Sequence, residues 1–366
     1  MKKHTLGLCL FIGLGLLAAP SLPAEDGAGA VYTLSNQPGG NRVVAFRRDP
    51  GGSLTPMGTY PTGGAGMGSG VDPLGSQGAV VLDGGGRLLF AVNAGSDSVS
   101  TFAADEDGLE LLNVAPSGGA MPVSVTVHGD VVYVLNAGGT PNVAGFTIDR
   151  RSNQLVPLPG SQRALSGGAA AKPAEVAFTP DGSVLLVTEK GAQTIDSYLV
   201  GSHGYLTGPV ANHSSGPVPF GFDFAHRGIV AVSEAGDSAL STYRVGDDGQ
   251  LQPISGSVPN GQTAVCWAVV TNDGRFAYTI NAATASVSSY RIAPDGTAAL
   301  LEPVAASAGV GSAPTDAALS PDSRYLFVRA GAAGRIESFR VGEDGSLTPA
   351  GSIGGIPAGS QGMAAR

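Results

Sequence analysis

The sequence predicts an all-β protein, a seven-bladed β-propeller of four-stranded blades whose ring is closed by the C-terminal strand completing the first blade. Three observations lead to this fold class. Short runs rich in Val, Leu, Ile, Thr and Tyr alternate with turns, one block of such runs recurs seven times along 366 residues, and the two ends of the chain match complementary parts of that block.

The repeating block is clearest at residues 172–206, which we interpret as four successive strands. PAEVAF is followed by a Pro-Asp-Gly turn, SVLLVTE by a polar loop, and TIDSYLV by a Gly-containing turn before a last strand from Tyr205. Turn residues between short β-prone runs are typical of antiparallel strands. Beyond the first twenty residues no long segment has apolar residues at helical spacing, so the chain is predicted to be predominantly β.

One aromatic residue per copy aligns the repeat. It closes a strand such as SVSTF or LSTY, at spacings of 44 to 56 residues. The seven positions are Phe46, Phe102, Phe146, Tyr198, Tyr243, Tyr290 and Phe339. Nine or ten residues earlier the preceding strand ends, at Asn36, Asn93, Asn136, Glu189, Glu234, Asn281 and Arg329. Seven copies of a four-strand unit at this period indicate seven blades.

The chain ends predict how the ring closes. The first copy begins at residues 31–36 and lacks an inner strand, while residues 359–365, GSQGMAA, match the inner-strand sequence GSQGAVV at residues 75–81. We therefore expect the C-terminal stretch to supply the missing strand, which leaves no large open edge. No shift in composition marks a linker, and residues 25–366 are predicted to form one domain.

Residues 1–24 are predicted to be a cleaved signal peptide, because two lysines precede an apolar run and a small-residue exit. An uncleaved anchor is the alternative, but a run of about fourteen residues is short for a membrane span. We expect an exported protein, periplasmic or extracellular, with no integral membrane segment after cleavage. Loss of two lysines changes the net charge from −9 to −11, which disfavours nucleic acid as a partner. Cys266 would be the one remaining cysteine.

The Pro-Asp-Gly turn, the strand ending in Asn or Glu, and the SVSxF/Y strand followed by D-G-x-L resemble the bacterial lactonase family of seven-bladed propellers. That family includes 6-phosphogluconolactonase and carboxymuconate cyclase-like proteins, and the resemblance covers residues 31–365. It implies hydrolysis of a small, sugar-derived or other lactone. Active members typically start inner strands with Pro-His-His-like or Pro-Arg-His segments. The matching segment here is Pro173-Ala174-Glu175, whereas Glu189 matches the acid at the end of the next strand.

Residues that begin inner strands or end second strands are expected to lie over the central channel. Lactone opening needs a base and a group that stabilises the developing oxyanion. The predicted catalytic residues are Glu189, Glu175, Glu234, Asp316 and Arg329, the last being the one cation in this set. The predicted ligand-binding residues are Gln77, Asn93, Asn136, His213, Trp267 and Asn281.

No cofactor is evident, although converging carboxylates could hold a divalent cation such as calcium. No G-x-S-x-G elbow occurs and Cys266 has no evident partner, so the sequence does not support nucleophilic catalysis. Two hypotheses stay open. The first is an exported hydrolase of a small lactone. The second is a non-catalytic periplasmic or extracellular propeller that binds a carbohydrate-like ligand or a protein partner.

Overall fold

The computed structural model describes Met1 and residues 27–68 and 70–366. These residues form seven antiparallel sheets, six with four strands and one with a short fifth strand, arranged as blades around a central channel. The prediction of an all-β, seven-bladed ring is confirmed. Apart from Met1, the predicted signal peptide lies outside the described residues, and it stays a prediction. None of the helices in the described part of the chain is long or apolar enough to cross a bilayer.

Each blade uses the strands predicted from the repeat. Blades 1 and 2 contain β1 (Gly29–Leu34), β2 (Arg42–Arg48), β3 (Leu54–Pro61), β4 (Val80–Leu82), β5 (Leu88–Asn93), β6 (Ser98–Ala104) and β7 (Leu109–Pro116). Blade 3 contains β8 (Ala120–His128), β9 (Val131–Gly138), β10 (Asn142–Asp149), β11 (Gln154–Pro157) and β12 (Arg163–Ala164). Short 3₁₀ helices span Gly168–Ala170 and Ser202–Gly204.

The remaining blades follow the same order. Blades 4 and 5 contain β13 (Pro173–Phe178), β14 (Val184–Glu189), β15 (Thr194–Val200), β16 (Leu206–His213), β17 (Pro219–Ala225), β18 (Ile229–Glu234), β19 (Ala239–Val245) and β20 (Leu251–Pro259). Blades 6 and 7 contain β21 (Val265–Val270), β22 (Phe276–Asn281), β23 (Ser286–Ile292), β24 (Ala298–Ser307), β25 (Pro314–Leu319), β26 (Tyr325–Ala330), β27 (Arg335–Val341) and β28 (Leu347–Gly354). The last strand is β29 (Gln361–Ala365).

The ring closes through the C-terminal strand, as predicted. β29 pairs antiparallel with β1, with Val31 opposite Ala365 and Leu34 opposite Gln361, so blade 1 has the order β29-β1-β2-β3. The seven inner strands, β29, β4, β8, β13, β17, β21 and β25, each contact the next around the channel. Closure pairs the backbone groups that an open arc of blades would expose at its edges.

The repeated aromatic residue forms the core between blades. All seven aromatic positions lie on third strands and are at most 3% exposed. Burying one such ring contributes about 1.5–3 kcal/mol relative to leaving it in water. An aromatic residue therefore recurs at this position because each blade packs it into an equivalent buried position against a neighbouring blade.

A β-bulge near the start of most inner strands turns selected side chains toward the channel. The register shifts between Pro173 and Glu175 in β13, between Val265 and Trp267 in β21, and after Pro314 in β25. An inserted residue bends a strand and re-aims the side chains beside it. In the following, the upper face is the one where inner strands begin, and the lower face carries the hairpins that join first to second strands.

Candidate functional site

Below the upper face, Ser76, Gln77 and Trp267 join blade 2 to blade 6 across the channel, and we call these three residues the channel plug. The Gln77 side chain crosses from blade 2 to blades 5 and 6, where its Nε2 donates to the Ala268 carbonyl at 2.9 Å and its Oε1 accepts from the Ala268 N–H at 3.1 Å. Trp267 Nε1 donates to the Ser76 carbonyl at 2.9 Å. Trp267 is 1% exposed and packs edge-on against Phe220, with ring centroids 5.1 Å apart.

Below the plug lies the channel cavity, of about 300 Å³, which opens toward the lower face. Its inner end is lined by Gln77 and three carboxyl groups, those of Glu175, Asp223 and Asp316. Hydrophobic side chains and residues of the hairpins after β21 and β25 line the rest. Of the described residues that line it, none is Lys, Arg or His. The cavity thus combines an acidic end with apolar walls.

Asp316 has the features expected of a base in this cavity. It is 2% exposed, its Oδ1 accepts from the Ala317 N–H at 2.8 Å, and its Oδ2 has no hydrogen-bond partner. Its φ of 76° lies in the left-handed region, a costly conformation that clusters at functional sites. Burial raises its pKa to about 7, against the opposing effects of the Ala317 N–H and the Arg329 charge. A carboxylate with this pKa can accept a proton near neutral pH.

Glu175 and Asp223, like Asp316, accept hydrogen bonds from backbone N–H groups. Glu175 Oε2 accepts from the Phe222 N–H at 2.6 Å, and the two Asp223 oxygens accept from the N–H groups of Phe224 and Val270, each at 2.7 Å. Burial, with added repulsion from Asp223 and Asp316, holds the pKa of Glu175 well above its usual range. Burial raises the pKa of Asp223 to about 6. This upward shift favours the protonated form of Glu175, which can act as a donor.

Glu189 and Glu234 lie inside their blades, where they fasten the connection that enters the blade. Glu189 accepts from the Gly167 N–H at 2.9 Å, and Glu234 accepts from the Gly216 N–H at 2.7 Å and from Ser241 Oγ at 2.6 Å. Both carboxyl groups are fully buried. Burial and the neighbouring Asp196 raise the pKa of Glu189 to about 8. The structure does not bring either residue to the channel cavity, and their predicted catalytic roles stay predictions.

The asparagines at the ends of second strands occupy equivalent buried positions. Asn93 Nδ2 donates to Ser100 Oγ at 2.8 Å, and Asn281 Nδ2 donates to Ser288 Oγ at 2.9 Å, two residues of the same type at matching sites. Asn136 Nδ2 donates to the Ser117 carbonyl at 3.1 Å. These contacts join adjacent strands and incoming connections within blades. Ligand binding by these three residues stays a prediction.

Arg329 lies on the upper side of the plug, 1% exposed, with Nε donating to the Thr315 carbonyl at 2.9 Å. Burial lowers its pKa to about 10, while Asp316 and Asp72 favour its charge. Lys190, one residue beyond the end of β14, donates to the Gly75 carbonyl and sits 4.6 Å above the Phe220 ring. Arg329 is thus accompanied by a second cation.

Two further residues from the sequence analysis are His213, which lies on an outer strand, and Cys266. His213 ends the outer strand β16, is exposed, and its Nδ1 is 3.0 Å from the Gln193 carbonyl. Burial raises the pKa of the Cys266 thiol to about 12, which disfavours a reactive thiolate. Among the described residues, no group of three or more His, Cys, Asp or Glu side chains is arranged to hold a metal ion. Calcium binding stays a prediction.

Three residues near these sites were not predicted from the sequence. Asp223 lies within β17, among aromatic residues, where nothing in the sequence separates a channel-facing acid from a surface one. Lys190 directly follows Glu189, the strand-end residue that was predicted to be catalytic. Asp72 follows the glycine-rich segment 63–70. That segment is hydrogen-bonded to the blade 1 residue Asn36 through the N–H groups at positions 67 and 68.

We expect the free energy of unfolding to decrease as the pH rises from about 5 to about 8. Burial raises the folded-state pKa values of Asp223, Asp316 and Glu189 to about 6, 7 and 8, above those of the unfolded chain. The folded protein therefore binds more protons than the unfolded chain in this window, and stability falls as these groups ionise. Urea unfolding at several pH values across the window measures the effect.

Glu189→Gln is the informative variant for this pH dependence. It removes the acid with the highest pKa of these three, so the free energy of unfolding should decrease less steeply between about pH 6 and 8. Glu106→Gln, at an exposed hairpin position, is the matched control and should retain the wild-type slope. Equal slopes for wild type and Glu189→Gln would contradict the assignment of a raised pKa to Glu189.

Comparisons with known proteins agree with this fold. A family model described as "Lactonase, 7-bladed beta-propeller" matches residues 40–168 and 261–354, more than half of the chain. No curated protein matches the sequence.

Among solved structures, a candidate 6-phosphogluconolactonase from Bacteroides uniformis is 19% identical, with a TM-score of 0.71, and covers 92% of this chain and 99% of its own. A second, from Bacteroides fragilis, is 19% identical, with a TM-score of 0.67 and coverages of 94% and 99%. The periplasmic gluconolactonase of Pseudomonas aeruginosa is 17% identical, with a TM-score of 0.71 and coverages of 92% and 99%. These similarities concern the fold.

Proposed function

The chain belongs to the lactonase family of seven-bladed β-propellers, and from this premise we propose that it hydrolyses a small, uncharged lactone in the channel cavity. The observation that carries the proposal is Asp316, a buried carboxyl group with one unpartnered oxygen at the inner end of a cavity that opens to solvent. A carboxyl oxygen without a partner in the protein, beside an open cavity, can accept a hydrogen bond from a molecule that enters the cavity.

The proposed reaction assigns one role to each of two acids. Asp316 accepts a proton from water as the water oxygen attacks the lactone carbonyl carbon. Glu175, whose protonated form is favoured by burial, donates its proton to the ring oxygen as the bond between that oxygen and the carbonyl carbon breaks. The product is a hydroxy acid, and both groups return to their starting states once a proton passes from Asp316 to Glu175 through solvent. Two carboxyl groups with different pKa values suit an acid–base pair.

The charge of the cavity supports an uncharged substrate. Asp223 and Asp316 face it as acids with pKa values of about 6 and 7, and none of the described lining residues is cationic, so a phosphorylated lactone would meet repulsion without a compensating charge in the cavity wall. An unphosphorylated sugar lactone offers hydroxyl groups to the acids and an apolar ring face to the walls. The similarity to a periplasmic gluconolactonase and the predicted signal peptide support a role outside the cytoplasm.

A panel of lactones tests the proposal, with acid release followed by a pH indicator and the uncatalysed rate subtracted. We expect turnover of at least one unphosphorylated sugar lactone and little or none of its phosphorylated form. The kcat/KM should rise with pH through about 7 as Asp316 ionises, because the base acts in its charged form. Turnover confined to the phosphorylated lactone would overturn the assignment of substrate.

The second candidate function is non-catalytic binding of an uncharged, carbohydrate-like ligand in the same cavity. What favours it is the absence of any cation among the described lining residues, since a positive group is a common means of stabilising an oxyanion. Saturable binding of a sugar or lactone without turnover, measured by calorimetry, would support this alternative. Binding of a protein partner to either face would instead be tested by a capture experiment with the protein lacking its predicted signal peptide.

A further inference from the structure

A cavity of about 450 Å³ lies between blades 5 and 6 on the lower face, and we call it the interblade cavity. Its walls are the hairpin between β17 and β18, the hairpin between β21 and β22, and the turn after β23. The described residues that line it are all different from those that line the channel cavity. A volume of this size is typical of a site for a small ligand.

The charges that line the interblade cavity are mainly positive. Three arginines and a histidine face one acid, namely Arg227, Arg275, Arg291, His226 and Asp273. Cavities at three other blade boundaries of the same face each contain at least as many acids as arginines. The whole chain carries a net charge of −9, so this excess of positive charge is a local feature. It favours a negatively charged ligand.

Two of these arginines keep their hydrogen-bond donors free for a ligand. Asp273 is engaged with Arg275, whose backbone N–H donates to Oδ1 at 3.1 Å and whose Nη1 lies 3.5 Å from Oδ2. In contrast, the guanidinium groups of Arg227 and Arg291 donate no hydrogen bond within the described part of the chain. Arg291 Cζ instead lies 5.1 Å from the centroid of the Phe276 ring. A guanidinium group stacked on a ring can still donate to a carboxylate in the plane of its N–H groups.

The inner surface of the interblade cavity is apolar. Ala225, Ile229 and Ile292 line it and are buried, whereas the three arginines are exposed. The cavity therefore has an apolar interior with cationic groups at its mouth. A ligand that matches both parts has an apolar body and a negatively charged group at one end, because guanidinium groups bind such anions through paired hydrogen bonds.

Contacts between the two blades hold the walls of the interblade cavity in place. Arg244 of blade 5 donates from Nη1 to the Arg227 carbonyl at 3.2 Å and from Nη2 to the Asp295 carbonyl of blade 6 at 3.1 Å. Gly274 has a φ of 63°, and a Cβ atom there would lie 2.8 Å from the His226 backbone nitrogen, so the close approach of the two hairpins requires glycine. A cavity formed before the ligand enters lowers the conformational cost of binding.

We propose that the interblade cavity binds a small organic anion with an apolar body, such as an aromatic carboxylate. Arg227 of blade 5 and Arg291 of blade 6 donate hydrogen bonds to the anionic group, and the apolar body lies against Ile229 and Ile292. The proposal does not depend on lactone hydrolysis, because the channel cavity has a separate set of lining residues.

Calorimetric titration with naphthoate at constant ionic strength tests the proposal, because this probe joins an aromatic body to one carboxylate. We expect saturable binding to the wild type. Naphthamide, which has the same body without the charge, and acetate, which has the charge without the body, should each bind at least about tenfold more weakly. Arg291→Gln should weaken naphthoate binding about tenfold, and Arg291→Lys should retain part of the lost affinity because it keeps the charge.

Arg340→Gln is the matched control. Arg340 follows the repeated aromatic residue of blade 7 as Arg291 follows that of blade 6, and it is exposed but does not line the interblade cavity. This variant should bind naphthoate as the wild type does. Equal naphthoate affinities for the wild type and Arg291→Gln, or no saturable heat with the wild type, would overturn the proposal. Equal affinities of the wild type for naphthoate and naphthamide would also overturn it, and that comparison needs no variant to fold.

Discussion

Asp316→Asn is expected to lower kcat/KM for lactone hydrolysis by about 100- to 10,000-fold, the usual contribution of a general base. The amide has nearly the same shape as the carboxylate, and its oxygen can still accept from the Ala317 N–H. It cannot accept a proton at neutral pH, so the attacking water loses its base. Initial rates on the best lactone of the panel, measured at saturating and limiting substrate, provide the comparison.

Two controls separate this loss from damage to the fold. Asp107→Asn changes an exposed acid on a hairpin and should retain wild-type rates. The melting temperature of Asp316→Asn should stay close to that of the wild type, or increase above about pH 7, because a buried charge is removed. A rate within threefold of the wild type in a folded Asp316→Asn protein would exclude Asp316 as the base.

Trp267→Ala is expected to cost about 3–5 kcal/mol of stability, the range seen when a large buried aromatic side chain is truncated. Trp267 is 1% exposed, packs against Phe220, and donates the hydrogen bond that ties blade 6 to Ser76 of blade 2. Its removal leaves a void in the plug and an unpaired Ser76 carbonyl. Because the variant lacks tryptophan, circular dichroism in urea is the suitable measurement.

Trp267→Phe is the matched variant for the plug. It keeps most of the apolar volume but loses the indole N–H, so we expect a smaller cost, about 1–2 kcal/mol. Similar costs for Phe and Ala would mean that the hydrogen bond, and not the packing, dominates. A cost below about 1 kcal/mol for Ala would show that the plug contributes little to the stability of the ring.

The architecture could be predicted from the sequence because it depends on a repeated local signal. Phe46 and its six counterparts recur at blade spacing, and GSQGMAA matches an inner-strand sequence, so blade number and ring closure both follow without knowledge of any contact. Because all seven copies carry the same pattern, an irregular copy such as blade 3, with its additional strand β12, does not change the predicted number of blades.

The site was harder to predict because it depends on side-chain direction. Glu175 and Asp316 were found because they begin inner strands, where bulges turn them into the channel. Asp223 was missed because its direction follows from a register shift between Pro219 and Phe222 that the sequence PFGFDFA does not reveal. Glu189 and Glu234 end strands as predicted, but their carboxyl groups accept hydrogen bonds from the incoming connections and do not line the cavity.

The pairing of β29 with β1 also has a consequence for biosynthesis. A ribosome delivers β1 long before the strand that must sit beside it, β29 at residues 361–365, which follows the other strands of all seven blades. Until then β1 has an unpaired inner edge, and the cavity lacks Met363, which forms part of its wall. A nascent chain interrupted before residue 361 would thus be an open arc with an unpaired strand edge, and the synthesis and pairing of β29 would convert it into a ring.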